Sequence, residues 1–267
     1  MPTTITSTTR TINLHDDLAI TVTEAGAGRP VLNLHGGGGP FTVAPTAEHL
    51  SETMRVLTPT HPGWNGMARP DSLATIGDLA AAYLELLDVE DLHDVLVVGS
   101  SLGGWIGAEI AVRDHGARVS GLILINATGI NVEGQPITDF FSLDARGVAE
   151  HAWYDPERGY RDPATIPPEQ AAVQRTNMAT MAVLARDMYD PSLRARLNQV
   201  RIPVLVVWGE ADRIVTPAYG AAYAAAFPDA RFERIAKAGH LPHLEQPAAT
   251  FAVIDDFLAG EGELGAR

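Results

Sequence analysis

The chain has 267 residues, an apolar share of 46% and a formal net charge of −14. That length buries a large core, as one α/β unit or two small domains. The acidic balance leaves no basic face for phosphates, which argues against a nucleic-acid partner and disfavours highly anionic substrates at long range. With no cysteine, disulfides and catalytic thiols are excluded. No run approaches a membrane span and Met1–Thr6 carries no apolar signal core, so no membrane partner is expected and a cytoplasmic location follows by default.

In chain order, Thr9–Ile12 and Leu18–Val22 read as an N-terminal hairpin split by Asp16-Asp17. Val31-Leu32-Asn33-Leu34 reads as a short buried strand running into His35-Gly36-Gly37-Gly38-Gly39-Pro40. Four glycines before a proline free the backbone to turn N–H groups toward a developing negative charge, as acyl transfer needs beside a nucleophilic serine. A phosphate cradle fits less well. No Lys-Ser/Thr follows for a P-loop, and no Gly-x-x-Gly spacing opens a helix. His35 has the chemistry of a base but reads as a turn-stabilising residue. A short helix near Thr46–Glu52 and a strand Arg55–Thr58 come next. Asp71 or Ser72 then precedes a long amphipathic helix with Ile76, Leu79, Ala80, Tyr83, Leu84 and Leu87 on one side.

The apolar run Val95–Val98 leads directly into Gly99-Ser100-Ser101-Leu102-Gly103. A buried strand that feeds a helix through so tight a turn leaves no room for side chains at the flanking positions, and glycines stand there. The turn holds Ser101 off the end of the strand with its hydroxyl exposed and its backbone strained. Small residues follow (Gly103, Gly104, Gly107, Ala108, Ala111) and let the helix approach the sheet closely. After that helix, Leu122–Ile125 forms another strand, ending at Asn126.

Val204–Trp208 is a further apolar strand, ending in Gly209-Glu210-Ala211-Asp212. Arg231–Ala236 is the next, followed by Ala238-Gly239-His240. An acid after one strand and a histidine after the next lie at the carboxyl edge of one parallel sheet, where Ser101 also emerges. The order Ser101, Asp212, His240 is the one expected for a triad built on such a sheet. His240 would take and return the serine proton, and Asp212 would hold the ring. Glu210 competes for the acid's role. His243, three residues after His240 at the start of a helix, reads as a packing residue. Asn126 occupies a second place from which an acid could reach the histidine, but an amide carries no charge. The scattered histidines suggest no metal site, and no cofactor is implied.

With these residues the chain resembles enzymes of the α/β-hydrolase fold, from about residue 10 to about residue 260. Thr60-His61-Pro62-Gly63-Trp64 with Arg69-Pro70-Asp71, Trp208-Gly209-Glu210-Ala211-Asp212 and Gly239–Pro247 add to the likeness. The resemblance implies a mostly parallel eight-stranded sheet with helices on both faces. It implies a nucleophile at Ser101, acid at Asp212 and base at His240. It puts the oxyanion donors on the backbone N–H of Leu102 and of a residue within Gly36–Gly38, taken as Gly37.

Residues 127–200 break the strand–helix alternation with prolines and short helical pieces. The resemblance implies a helical cap here, inserted into a core formed by residues 1–126 and 201–267. Met178, Met181, Leu184 and Met188 fall at helical spacing. That stripe packs on the main domain, and its methionines also suit a pliable wall for substrate. Phe140, Phe141, Trp153 and Tyr154 extend that wall, and Gly36, Gly38, Trp105 and Leu241 complete the expected substrate contacts.

The expected partner is a small or medium apolar molecule, and the expected reaction is hydrolysis of an ester or lactone through an acyl-Ser101 intermediate. A second possibility is carbon–carbon cleavage of a vinylogous diketone, the meta-cleavage product of aromatic catabolism. Against it, Leu241 stands where such hydrolases commonly carry tryptophan; they also need a cap arginine to hold a substrate carboxylate, and Arg175 and Arg186 are available but sit in no motif that settles the question. A slow-turnover receptor is a third possibility. The sequence leaves oligomeric state open.

Overall fold

The computed structural model describes residues 6–15 and 17–264; the turn residue Asp16, the segment 1–5 and residues 265–267 lie outside them. Eight strands, β1 (Thr8–His15), β2 (Leu18–Ala25), β3 (Pro30–Leu34), β4 (Arg55–Thr60), β5 (Val95–Ser100), β6 (Val119–Ile125), β7 (Val204–Gly209) and β8 (Ala230–Ile235), form one open sheet. Their order is β1-β2-β4-β3-β5-β6-β7-β8. β2 pairs antiparallel with β1 and β4, and every other pairing is parallel. The helices are α1 (Ala44–Leu50), α2 (Ile76–Val89), α3 (Leu102–Asp114), α4 (Ala145–Ala152), α5 (Pro156–Gly159), α6 (Pro168–Leu184), α7 (Leu193–Arg196), α8 (Pro217–Ala224), α9 (Pro242–Glu245) and α10 (Pro247–Leu264). None of the described helices is long and apolar enough to cross a membrane.

The apolar strand runs are continuous rather than alternating because the parallel strands are covered on both faces. Successive side chains therefore feed two cores. Leu32, Val97, Leu122, Leu124 and Val206 join α2, α3 and α8 in the larger core. Val31, Leu96, Val98, Ile123 and Val207 meet Leu50 of α1 and Ile254 of α10 in the smaller one. The centre of the sheet packs most tightly where β5 turns into α3. A Cβ on Gly99 would lie 2.2 Å from Gly103 O, and one on Gly103 would lie 2.1 Å from Leu34 O.

Three boundaries depart from the sequence reading. The cap of α2 is Thr75, not Asp71 or Ser72. Thr75 Oγ1 accepts from Asp78 N–H at 3.1 Å while Asp78 Oδ2 accepts from Thr75 N–H at 2.9 Å, and this reciprocal pair sets the start of the helix. The methionine stripe outruns α6, which ends at Leu184. Met188 reaches the core from a turn, at φ 58°. The alanine-rich run Ala218–Ala226 reads as one helix in the sequence, whereas α8 starts at Pro217 and closes at Ala224. Among the described residues, 127–200 add no strand to the sheet, only a bridge between Gly129 and Tyr189.

Replacing Gly103 by Ala should cost at least about 2 kcal/mol, because both walls of the contact are backbone. Gly260 lies in α10, and a Cβ added there would meet nothing within 4 Å. The same change at Gly260 should therefore gain about 0.5–1 kcal/mol. Urea midpoints of the two variants should move in opposite directions; equal stability would refute the packing account.

Candidate active site

Ser101 caps α3 at φ 56° and ψ −116°, a conformation that L residues rarely adopt. Its N–H donates to Ile125 O at 2.9 Å, and its C=O accepts from Gly104 and Trp105 N–H at 3.0 and 3.2 Å. The backbone is thereby tied to β6 on one side and to the first turn of α3 on the other. Only the side chain is free to project beyond the end of β5.

There Ser101 Oγ lies 2.8 Å from His240 Nε2, and His240 Nδ1 lies 2.8 Å from Asp212 Oδ2. The carboxylate can only accept, so Nδ1 carries the proton and Nε2 is left to accept from the hydroxyl. Asp212 is buried and amply bonded. Ile214 and Val215 N–H donate to Oδ1 at 2.8 and 3.1 Å, and Asn126 Nδ2 donates to Oδ2 at 2.6 Å. Asn126 thus occupies the second position near the histidine as a donor to the acid. Its Oδ1 accepts from Gly209 N–H at 3.2 Å, which fixes the amide's orientation. Glu210 lies on the surface, 3.7 Å from Arg234, and does not join this line.

The loop bearing His240 is held by groups that the sequence did not single out. His240 N–H donates to Ala152 O at 2.7 Å. The buried Glu245 carboxylate accepts from Gly239 N–H at 2.6 Å and from Tyr154 N–H at 2.9 Å, joining the loop after β8 to the end of α4. On the opposite side, α6 is fastened by Asn177 Oδ1, which accepts from Asn65 N–H at 2.9 Å, and by Thr180 Oγ1, which donates to Gly63 O at 3.0 Å. A polar residue one or four positions before Met181 was the only sequence signal for this pair.

The glycine loop after β3 meets the serine directly. A Cβ on Gly36 would lie 3.2 Å from Ser101 Cβ, and one on Gly37 would lie 2.5 Å from Met181 Sδ. Leu102 N–H stands at the first position of α3, where a helix leaves its amides unpaired. Gly38 is exposed beside Thr42 and Phe41. Trp153 stacks its half-buried ring on Gly159, and its backbone abuts Gly239. Leu241 precedes α9, next to the base. Trp105 packs against Gly129 in the larger core, and its indole N–H has no partner among the described residues. Phe140 and Met178 are half-buried against that same core. Gly36 is therefore brought to Ser101 and Met181 to Gly37, while Trp105, Phe140 and Met178 are placed by their packing on the core.

Two further histidines are buried and neutral. His243 Nε2 donates to Thr42 O at 2.8 Å. Burial pushes its pKa down to about 4, with the nearby His240 adding to the shift and the Thr42 bond opposing it. Burial likewise pushes His61 down to about 4, against a smaller opposing effect of its bond to His35 O. Each titrates near 6.5 when unfolded, so between these values the unfolded chain binds more protons. The stability that neutrality protects is complete above pH 6.5 and is lost as the pH falls toward 4, by about 3 kcal/mol per histidine. Urea midpoints from pH 7.5 to 4.5 should fall less steeply in His243→Gln than in wild type. Parallel curves would refute a buried neutral His243.

Comparison with known proteins adds a lineage to this geometry. The chain is 30% identical over 251 residues, 85% of its own length and 97% of the relative's, to a pimeloyl-[acyl-carrier protein] methyl ester esterase of Aromatoleum aromaticum. It is 26% identical over 275 residues, 93% of each chain, to a 2-hydroxy-6-oxo-2,4-heptadienoate hydrolase of Pseudomonas putida. Its fold superposes on a 2-hydroxy-6-oxo-6-phenylhexa-2,4-dienoate hydrolase from a Rhodococcus strain with a TM-score of 0.76, at 20% identity over 96% of this chain and 100% of that one. The sequence model of the alpha/beta hydrolase family matches residues 31–253, from the strand before the glycine loop through His240 and into α10, and the chain belongs to that family.

Proposed function

We propose that the protein is a serine hydrolase of carboxylic esters or lactones, with Ser101 as nucleophile, His240 as base and Asp212 as the acid that orients it. The observation that carries this reading is the unbroken hydrogen-bonded line from Ser101 Oγ through both nitrogens of His240 to Asp212. In the reaction, Ser101 Oγ attacks the substrate carbonyl as His240 Nε2 takes its proton. The tetrahedral oxyanion is met by Leu102 N–H and Gly37 N–H. His240 then delivers the proton to the departing alkoxide, and water attacks the acyl-enzyme by the same route. Asp212, kept in place by four donors, holds the imidazole in the tautomer that leaves Nε2 free to accept.

In the same reading, residues 127–200 act as a cap on a core of residues 1–126 and 201–267. The cap touches the site through Ala152, Tyr154 and Met181. Its apolar contacts suit a small or medium apolar acyl or alcohol group. The relative from Aromatoleum is named for a methyl ester, which supports an ester over other acyl derivatives. The relative from Pseudomonas keeps carbon–carbon cleavage as the competitor. Two features of this chain count against that competitor: Leu241 follows the base, and Arg175 and Arg186 are both exposed rather than turned inward to hold a carboxylate.

Initial rates should be measured on short acyl aryl esters, lactones and one meta-cleavage diketone, for wild type and Ser101→Ala. Ester or lactone turnover should fall by at least about a thousandfold in Ser101→Ala with unchanged thermal stability. Retained turnover would refute the nucleophile, and fast diketone cleavage would install the carbon–carbon reading. Asp212→Asn should lower kcat by about 10³–10⁴. A larger loss in Glu210→Gln would move the acid to Glu210.

A further inference from the structure

Gly37 is locked on both sides, and the lock on its N–H begins at a hydroxyl one helix away. Gly36 O accepts from His35 Nδ1 at 2.7 Å and from Gly39 N–H at 3.1 Å. Across a trans peptide the C=O and N–H point in opposite directions, so these two bonds set where the Gly37 N–H is aimed. The next peptide is set by Trp64 Nε1, which donates to Gly37 O at 2.8 Å.

His35 donates from Nδ1 in one neutral tautomer alone, and its surroundings impose that tautomer. Its Nε2 accepts His61 N–H at 3.1 Å, so a proton there would meet another N–H. The His61 ring stacks on His35 with centroids 3.6 Å apart. His61 Nε2 lies 2.8 Å from His35 O, an atom that only accepts, so Nε2 carries the His61 proton. His61 Nδ1 is left as an acceptor, and the donor facing it is the hydroxyl of Tyr83 on α2. All three side chains are fully buried. Phenylalanine would fill the same space in the core without a hydroxyl to desolvate. What the hydroxyl contributes is direction.

We infer that Tyr83 and His61 are positioning residues for the oxyanion donor, with the Tyr83 hydroxyl donating to His61 Nδ1 and so holding the ring whose tautomer His35 O imposes, His61 holding His35, and His35 holding the Gly36–Gly37 peptide. The inference rests on the acyl-transfer reading of Ser101. Neither residue touches substrate. Each acts through the orientation of one N–H that gains its full value only when charge develops on the carbonyl oxygen, so its removal lowers kcat and spares KM.

Tyr83→Phe removes one oxygen and keeps the ring. The test compares p-nitrophenyl butyrate with its thionoester, whose sulfur anion is a larger and poorer acceptor that already forfeits much of the oxyanion contact. For the oxoester, kcat should fall about 10- to 100-fold while KM stays within roughly twofold. The thionoester should lose far less, so the oxo-to-thiono ratio should drop about tenfold. A variant that is merely part-unfolded loses both activities equally and keeps the ratio. His61→Gln, which retains a donor toward His35 O, should recover activity that His61→Leu lacks.

Nitrogen-15 spectra of the histidine rings supply a readout that needs no substrate. Wild type should show His35 protonated on Nδ1 and His61 on Nε2, and in Tyr83→Phe the His61 Nδ1 signal should move toward that of an unbonded ring nitrogen. An unchanged ratio with Ser101 dependence intact, or the opposite tautomers in wild type, overturns the positioning chain alone. Wild-type turnover in Ser101→Ala overturns the acyl-transfer reading and the chain with it.

Discussion

Ser101 holds a backbone conformation that costs about 1–3 kcal/mol, and it persists because the surrounding contacts leave no relaxed alternative. Gly99, Gly103 and Leu34 bring β5, α3 and β3 into backbone contact, with no space for even a methyl group between them. A side chain on a looser turn would sample several rotamers and backbone states. On this one, the hydroxyl has a fixed origin, and the loops after β7 and β8 need only deliver Asp212 and His240 to a known point. The two apolar cores on either face keep the sheet, and hence that point, rigid.

Polar groups complete what packing begins. Asp212 has three donors in place before it meets His240, with Asn126 and two backbone amides converging on it. The same economy recurs at Glu245, where one buried side chain ties together backbone from two distant segments, and Asn177 fastens its own helix to the Asn65 backbone. Buried polar groups with several partners each have a single satisfied geometry, and removing one partner leaves the rest unpaired at full desolvation cost.

The parallel strands were legible because continuous apolar runs such as Val95–Val98 and Val204–Trp208 signal burial on both faces, and glycines punctuate their ends. The placement of Ser101 and Asp212 was legible because each follows such a run, and that of His240 because it follows the next strand, Arg231–Ala236. Asn126 was noticed for its position but set aside for its lack of charge, since a sequence does not reveal that an amide can serve an acid by donating to it. Glu245 lay unassigned within Gly239–Pro247, and Asn177 and Thr180 showed only as polar positions before Met181. Their partners are backbone amides and carbonyls, which every residue carries and no pattern marks. The start of α2 was misplaced because several residues in 71–75 have capping chemistry, and only the reciprocal bond between Thr75 and Asp78 decides among them.

The fastening of 127–200 at two points has a kinetic meaning. Swinging the end of α4 outward would strip Tyr154 from Glu245 and Ala152 from His240, dismantling the loop that carries His240. Lifting α6 would strand the buried side chains of Asn177 and Thr180. Neither helix can work as a door on a hinge. What can move without breaking these bonds is the thioether chain of Met181 above Gly37, with three rotatable bonds and no polar partner to lose. Rotamer changes run in picoseconds to nanoseconds when a side chain has room, against microseconds to milliseconds for hinged segments. In the proposed reading, traffic past Ser101 is then paced by side chains and not by domain opening, with the Met181 rotamers narrowing the way beside Gly37.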